Sequence, residues 1–326
     1  MKERKKIGLI GLGWWGKQLF EFFNALDDVE MVAVNEINKV PDDFDLGDAK
    51  VYTDIEKFFG EVKMDGVIVA TPPSLHYEAV KLAAVHGVHI FCEKPMGNTV
   101  ESCQKMIDVC AKNNVKLFVA FKHRYARACK HIKDNLPAYG KPLAAMYTAP
   151  LFPVNDPGWK FKPGWCDGVI VENAVHYIDN LRYLMGDMKH LYAEGGTMMF
   201  QTDVPDTAIF NIRFENGAIG AIGCGATSDI AITDEYLDIH FENAVCQMRG
   251  RLDQPYHLKV CWRKDHFIEE HLYQGSDGVK EEIAHFLECI EKEEEQPLAT
   301  GVDGLEAVKI ALKVIESIQT GKRVEV

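Results

Sequence analysis

In the early part of the chain, apolar residues fall in short runs: Ile7 to Ile10, Met31 to Val34, Gly66 to Ala70, Val88 to Cys92 and Val115 to Phe121. Between them, apolar positions recur every three or four residues, in the stretch through Ala25, in Tyr77 to His86 and in Val100 to Asn113. Short runs bounded by turn residues read as buried strands, and the wider period reads as amphipathic helices. Strand and helix thus alternate to about Lys122. Crossovers of this kind build a doubly wound parallel sheet with helices on both faces, an α/β fold.

Beyond Arg124 the pattern changes. A helix is expected from Ala128 to Leu136, a loop rich in Pro, Gly and Trp from Pro150 to Gly168, and a strongly apolar helix from Ile170 to Met185. Strands follow at Ala208 to Phe214, Ala218 to Gly225, Leu237 to Phe241, Ala244 to Arg249 and Leu258 to Trp262. Asn216-Gly217 between the first two is a type I′ hairpin signal. Closely spaced strands form a mainly antiparallel open sheet, and helices at Val279 to Lys292 and Gly304 to Thr320 complete an α+β domain. The expected division is residues 1–122 and 123–326, and a chain of 326 residues has ample core for both.

The first strand runs into Gly11-Leu12-Gly13-Trp14-Trp15-Gly16 ahead of a helix, which is G-x-G-x-x-G in its required setting. Gly11 allows the tight turn, Gly13 lets the backbone approach a pyrophosphate, and Gly16 lets the helix pack closely on the strand, as in a Rossmann fold. Glu36 stands 20 positions after Gly16 at the end of the second strand, where an acid holds the adenosine ribose hydroxyls. A 2′-phosphate would face that carboxylate, and Ile37-Asn38 offers no arginine fork, so NAD is expected over NADP; Lys39 weakens the preference.

Composition narrows the partners. A formal net charge of −13 repels nucleic acid and anionic membrane, and no stretch approaches a membrane span. The basic start Met1-Lys2-Glu3-Arg4-Lys5-Lys6 lacks the apolar run of a signal peptide. Nine cysteines without a CxxC pair indicate a reducing, cytoplasmic setting. A soluble protein acting on a small molecule is the expectation. Cys92 reads as a buried strand thiol or an oxidation-sensitive one. The apolar late strands, with Cys246, Met248, Trp262 and Phe267, need a cover of helices or of another subunit, and a homo-oligomer, dimer or tetramer, is expected.

Two segments carry candidate chemistry. Glu93-Lys94-Pro95 follows an apolar strand; alone it is a strand-ending turn, but beside a dinucleotide site its lysine can act on a substrate. Both it and Thr71-Pro72-Pro73 fall at carboxyl ends of strands, so the two loops should converge. The helix from Ile170 carries Glu172, His176, Asp179 and Tyr183 at intervals of four, three and four, which puts all four on one face. That face lines a polar cavity, or Glu172 and His176 form an i,i+4 pair on a surface. Oxidation of a carbinol needs a group that takes the hydroxyl proton near neutral pH. Imidazole or a lysine with lowered pKa does this, so His176, Lys94 and the carboxylate of Glu172 are the catalytic candidates. No HExxH or compact ligand cluster suggests a metal.

Together, Gly11-Leu12-Gly13-Trp14-Trp15-Gly16, Ala70-Thr71-Pro72-Pro73-Ser74-Leu75-His76, Glu93-Lys94-Pro95, His176-Tyr177-Ile178-Asp179 and Gly301-Val302-Asp303-Gly304 resemble one family over essentially the whole length. It is the glucose–fructose oxidoreductase, inositol dehydrogenase and rhizopine-catabolism family, Gfo/Idh/MocA. The resemblance implies a nicotinamide cofactor, Lys94 as the family lysine, His176 as the proton-transferring histidine and Asp179 as the substrate-side aspartate. It places Thr71, Pro72, His76 and Glu93 around the nicotinamide half and implies a cis bond before Pro95.

Glu172 stands where the family often has Asp, Ala174 where it often has Gly, and Lys122 where it often has Asn. Lys122, with Arg124 nearby, either adds positive charge to the pocket, which suits an acidic substrate, or is exposed. Trp159, Lys160, Lys162 and Trp165 offer sugar-stacking faces and hydrogen bonds, or else core and interface packing. The expected activity is hydride transfer between NAD and a secondary alcohol or ketone of a sugar, glycoside or cyclitol. The alternatives are an NAD-retaining glycosidase or lyase that oxidises transiently, and a non-catalytic dinucleotide sensor.

Overall fold

The computed structural model describes residues 4–150, 158–162, 164–166, 168–227, 234–250, 256–274 and 278–326. Met1, Lys2 and Glu3 of the basic start, and residues 151–157, 163 and 167 of the Pro-, Gly- and Trp-rich loop, lie outside them. Two compact units result: Met1–Ala120 with Glu282–Leu305, and Phe121–Glu281 with Glu306–Val326.

The first unit begins with β1 (Lys5–Ile10), α1 (Trp14–Asn24), β2 (Val29–Asn35), β3 (Lys50–Tyr52) and α2 (Ile55–Glu61). It continues with β4 (Gly66–Val69), α3 (His76–Val85), β5 (His89–Cys92), α4 (Val100–Lys112) and β6 (Leu117–Val119). Among the described residues these strands make one parallel sheet in the order β3-β2-β1-β4-β5-β6. The order reverses beside β1, which sets a ligand crevice at the carboxyl ends of β1 and its neighbours. β3 and α2 have no counterpart in the sequence reading: β3 is three residues with only one half-buried, too short for a period to show.

The returning segment belongs to this core. Phe286 packs edge-to-face on Phe23, Phe91 and Phe118, and Ile290 lies against Gly66. Lys116 donates to the carbonyls of Cys289, Lys292 and Glu295 at 2.7 Å each. It thereby satisfies carbonyls that a helix end leaves open and sets a cation against the dipole there.

The second unit contains α5 (Arg127–Tyr139), β7 (Pro142–Pro150), α6 (Val169–Met185), β8 (Met188–Gly196), β9 (Thr207–Phe214) and β10 (Ile219–Gly225). Then come β11 (Glu235–Phe241), β12 (Ala244–Gly250), β13 (Tyr256–Trp262) and β14 (Ile268–Tyr273). The chain ends with α7 (Val279–Glu291), α8 (Gly301–Thr320) and β15 (Val324–Glu325). The strands form one sheet in the order β14-β13-β12-β11-β7-β10-β9-β8-β15 among the described residues. Only the β7–β10 pair is parallel, so the mainly antiparallel expectation holds.

β9 alternates cleanly, with Ala208, Phe210, Ile212 and Phe214 buried and Ile209 exposed between them, the mark of a sheet with one covered face. Cys246 and Met248 are on the covered side, while Phe267 is exposed. The β9–β10 hairpin departs from the type I′ expectation. Only Gly217 has positive φ (+87°), and its N–H donates to Phe214 O at 3.0 Å, so the loop is a type I turn closed by a left-handed glycine. No described helix is long and apolar enough to cross a membrane.

Candidate active site

The glycine loop is built by close approach. Gly11 has φ +92°, and a Cβ on Gly16 would stand 2.0 Å from Gly11 O, so no larger residue fits at the start of α1. A Cβ at Gly13 would meet nothing within 4 Å, and Gly13 caps α1 without a side-chain hydrogen bond. The first N–H groups of a helix have no partner within it, and a helix N-terminus with open space beside Gly13 fits a pyrophosphate. The Glu36 carboxylate accepts from Leu12 N at 2.7 Å and from Asn38 N and Nδ2 at 2.8 and 2.9 Å. It fixes the loop and keeps lone pairs for further donors. Trp14 is exposed and stacks on Trp15, 5.8 Å between ring centroids.

The loops after β4 and β5 converge as expected. His76 is fully buried, with Nε2 at 2.7 Å from Thr71 O and Nδ1 at 3.0 Å from Met96 O. Burial holds its imidazole below the ordinary value, against the pull of those carbonyls. His76, which the resemblance places around the nicotinamide half, has no exposed surface and is the strut between the two loops. Glu93 is buried, accepting from Trp15 Nε1 at 2.6 Å and from Lys94 N at 3.1 Å. The loop from β5 is thus bound to the first helix. Lys94 is half-buried and the Lys94–Pro95 bond is cis. The hydroxyl of Thr71 is shielded from solvent without a hydrogen-bond partner, a polar atom that a bound amide or hydroxyl would satisfy; Pro72 stands half-buried beside it. Gly304, at the start of α8, lets that helix close on Met96, whose sulfur would lie 2.8 Å from a Cβ there. Cys92 is fully buried and its thiol is pushed well above its usual range, the buried-strand alternative.

In the second unit α6 is buried almost all round, and Glu172, His176 and Asp179 are buried with it. Of the two alternatives, a pair on the surface is excluded, because Glu172 and His176 are both buried. Glu172 lies 3.4 Å from Lys160 Nζ, on the short helical turn Gly158–Phe161 that also carries the half-buried Trp159. His176 instead stacks on His123, with ring centroids 4.7 Å apart and planes 16° apart, and meets the edge of Phe121. Behind them, Glu235 stands 3.8 Å from His123 Nε2 and accepts from Tyr147 OH at 3.0 Å.

Asp179 has no exposed surface, and both its oxygens accept from Arg124, at 2.8 Å from Nε and 2.6 Å from the terminal nitrogen. Asp179, the substrate-side aspartate implied by the resemblance, thus forms a bidentate pair with Arg124 that anchors α6. Arg124 also lies over the ring of Tyr183 at 4.8 Å, and burial raises the Tyr183 hydroxyl to about 12. Lys122 is buried rather than exposed. Lys162 sits over the Trp165 ring at 3.8 Å. His123, Glu235 and Tyr147 were missed by sequence reasoning, because they come from three distant segments.

The profile of the oxidoreductase family, NAD-binding Rossmann fold, matches residues 5–121, and that of the family's C-terminal alpha/beta domain matches residues 140–326. A myo-inositol 2-dehydrogenase of Thermotoga maritima is 25% identical, over 98% of each chain. A 2,7-anhydro-N-acetylneuraminate hydratase of Mediterraneibacter gnavus is 28% identical, over 87% of this chain and 78% of the relative. The WlbA dehydrogenase of Bordetella pertussis, solved with NADH and UDP-GlcNAcA, shares the fold with a TM-score of 0.87 and 19% identity, over 100% of this chain and 99% of that one. With both profiles together spanning nearly its full length, the chain belongs to the Gfo/Idh/MocA oxidoreductase family.

Proposed function

We propose that the protein transfers a hydride between NAD and a secondary hydroxyl or ketone of a sugar, glycoside or cyclitol. The carrying observation is the buried His176 imidazole, braced by His123 and Phe121 on a helix that Arg124 locks through Asp179. A proton acceptor works best when its ring cannot wander from the hydroxyl it serves. In this reading His176 takes the hydroxyl proton, Lys94 hydrogen-bonds the oxygen as it becomes a carbonyl, and Glu172 with Lys160 and Trp159 receives neighbouring hydroxyls. Buried Lys122 adds positive charge, which favours a substrate with an acidic group. The myo-inositol 2-dehydrogenase relative supports a polyhydroxylated substrate.

NAD would supply the hydride acceptor. The N–H groups beside Gly13 suit its pyrophosphate and Glu36 its adenosine ribose. Glu36 also favours NAD over NADP, a preference that Lys39, only loosely held in an exposed pair with Asp42, weakens. Thr71, Pro72 and the loop pinned by Glu93 are assigned to the nicotinamide half. The sheet face exposing Met146, Ile209 and Ile219 is assigned to contact with a second copy.

The test is the reduction of NAD by purified protein across a panel of sugars and cyclitols. Lys94→Ala and His176→Ala each lower turnover by about 10²–10⁴-fold while cofactor binding persists. Unchanged turnover removes the assigned roles. A second reading, elimination or hydration with NAD retained, is favoured by the hydratase relative. It predicts product without net NADH, which chromatography of the reaction mixture separates from the first.

A further inference from the structure

Outside the candidate active site, the inner side of β14 brings together side chains that no role so far uses. Glu269, His271 and Tyr273 alternate with the exposed Ile268, Glu270 and Leu272 along this edge strand, and His131 reaches them from α5. The His131 and His271 rings are 4.4 Å apart, and His131 Nδ1 lies 2.8 Å from the Tyr273 hydroxyl. Glu269 accepts from Trp262 Nε1 at 2.6 Å through one oxygen. Its other oxygen stands 3.6 Å from His271 Nε2, too far for a hydrogen bond. That nitrogen is shielded from solvent and makes none.

A gap of that size is within reach of an ion pair if the imidazole is charged, and it is also a near fit to two ligands of one metal ion. With bonds of about 2.0–2.1 Å, neighbouring ligand atoms on a tetrahedral zinc ion lie about 3.4 Å apart. One ligand atom from each of His131, Glu269 and His271 lies within 4.8 Å of the others. Among the described residues they are the one group of three or more His, Cys, Asp or Glu side chains that converges so. Drawing atoms that now lie up to 4.8 Å apart together to about 3.4 Å, a closure of about 1.4 Å, completes three legs of the tetrahedron.

We propose that His131, Glu269 and His271 bind one divalent first-row transition ion, Zn²⁺ by chemistry, with water in the fourth position. Two imidazoles and a carboxylate suit zinc and disfavour magnesium, which prefers oxygen ligands. Tyr273 and Trp262 form the outer contacts that fix a ligating ring and a ligating carboxylate. The ion ties α5 to the open edge of the sheet, a structural tether with no part in hydride transfer. His131 and the Glu269-x-His271 pair lie far apart in sequence, so no local motif announces the site.

Full-length, untagged protein stripped by chelator and titrated with Zn²⁺ in a calorimeter tests this. One ion is expected per chain, with Mg²⁺ giving no heat. Co²⁺ should give the visible absorption of a four-coordinate ion, and Zn²⁺ at about a hundredfold excess over Kd should raise Tm by several degrees. His131→Gln and His271→Gln abolish that binding and that rise while NAD-linked turnover stays at the wild-type level. Trp262→Phe weakens binding by about 10–100-fold. Undiminished Zn²⁺ uptake by the doubly substituted His131→Gln, His271→Gln protein would mean an adventitious ion only, and would overturn the proposal, as would the absence of one-to-one uptake by the wild type.

Discussion

The polar constellations of the two units are held in opposite ways. In the first, carboxylates and imidazole lean chiefly on main chain: Glu36 on Leu12 N–H, Glu93 on Lys94 N–H beside its bond from the Trp15 indole, His76 on the carbonyls of Thr71 and Met96. In the second, side chains hold one another across long sequence distances: Arg124 on Asp179, Lys160 near Glu172, Glu235 and His176 flanking His123. Backbone scaffolds tolerate loss of a single side chain, whereas a buried charge that loses its partner is stranded. The second unit should therefore be the more brittle to single polar substitutions.

Arg124→Ala separates the two most sharply. It strands the Asp179 carboxylate and is expected to lower unfolding free energy by about 3–5 kcal/mol, while the pair Arg124→Met, Asp179→Leu recovers most of it in denaturant melts. A near-neutral single variant would dissolve the contrast. Gly16→Ala drives a Cβ into Gly11 O; a loss of about 1–3 kcal/mol and weakened NADH binding, followed by fluorescence, are expected.

His123→Phe keeps a ring against His176 but removes a titratable neighbour. Turnover should fall by less than the ~10²–10⁴-fold expected of a proton-transfer group, and the acid limb of the pH–rate profile should move; an unmoved limb denies His123 any influence on His176. His76 gives the smallest effect. Its folded pKa is depressed below 6.5, so above that pH both states are neutral and it is silent. Below it the unfolded chain takes the proton that the folded chain refuses, and stability drops towards the folded value, by at most about 1.4 kcal/mol per pH unit. His76→Gln should flatten that part of the stability–pH curve.

The same contrast explains what could be read from residues alone. G-x-G-x-x-G, Glu36 and the prolines after β4 and β5 are local patterns, because main-chain geometry writes itself into glycine and proline. The one-face spacing of Glu172, His176 and Asp179 is equally local, and α6 forms where the period placed it. Their partners were not legible. A period of three to four gives the direction of a side chain, not which distant strand or loop meets it, so Arg124, His123 and Lys160 emerged only with the fold. Strands β7, β8 and β14 escaped for another reason: charged, glycine and small residues break their alternation, and pairing with neighbours decides their state.

The return of Glu282–Leu305 to the first unit bears on how the chain is made. Phe286 and Ile290 cover one side of the parallel sheet, yet they are synthesised long after Ala120. At ~5–20 residues per second the interval is roughly 10–30 s. During it the sheet displays Phe91 and Phe118 to the cell without their covering ring, an exposure that chaperones are suited to shield until translation is nearly complete.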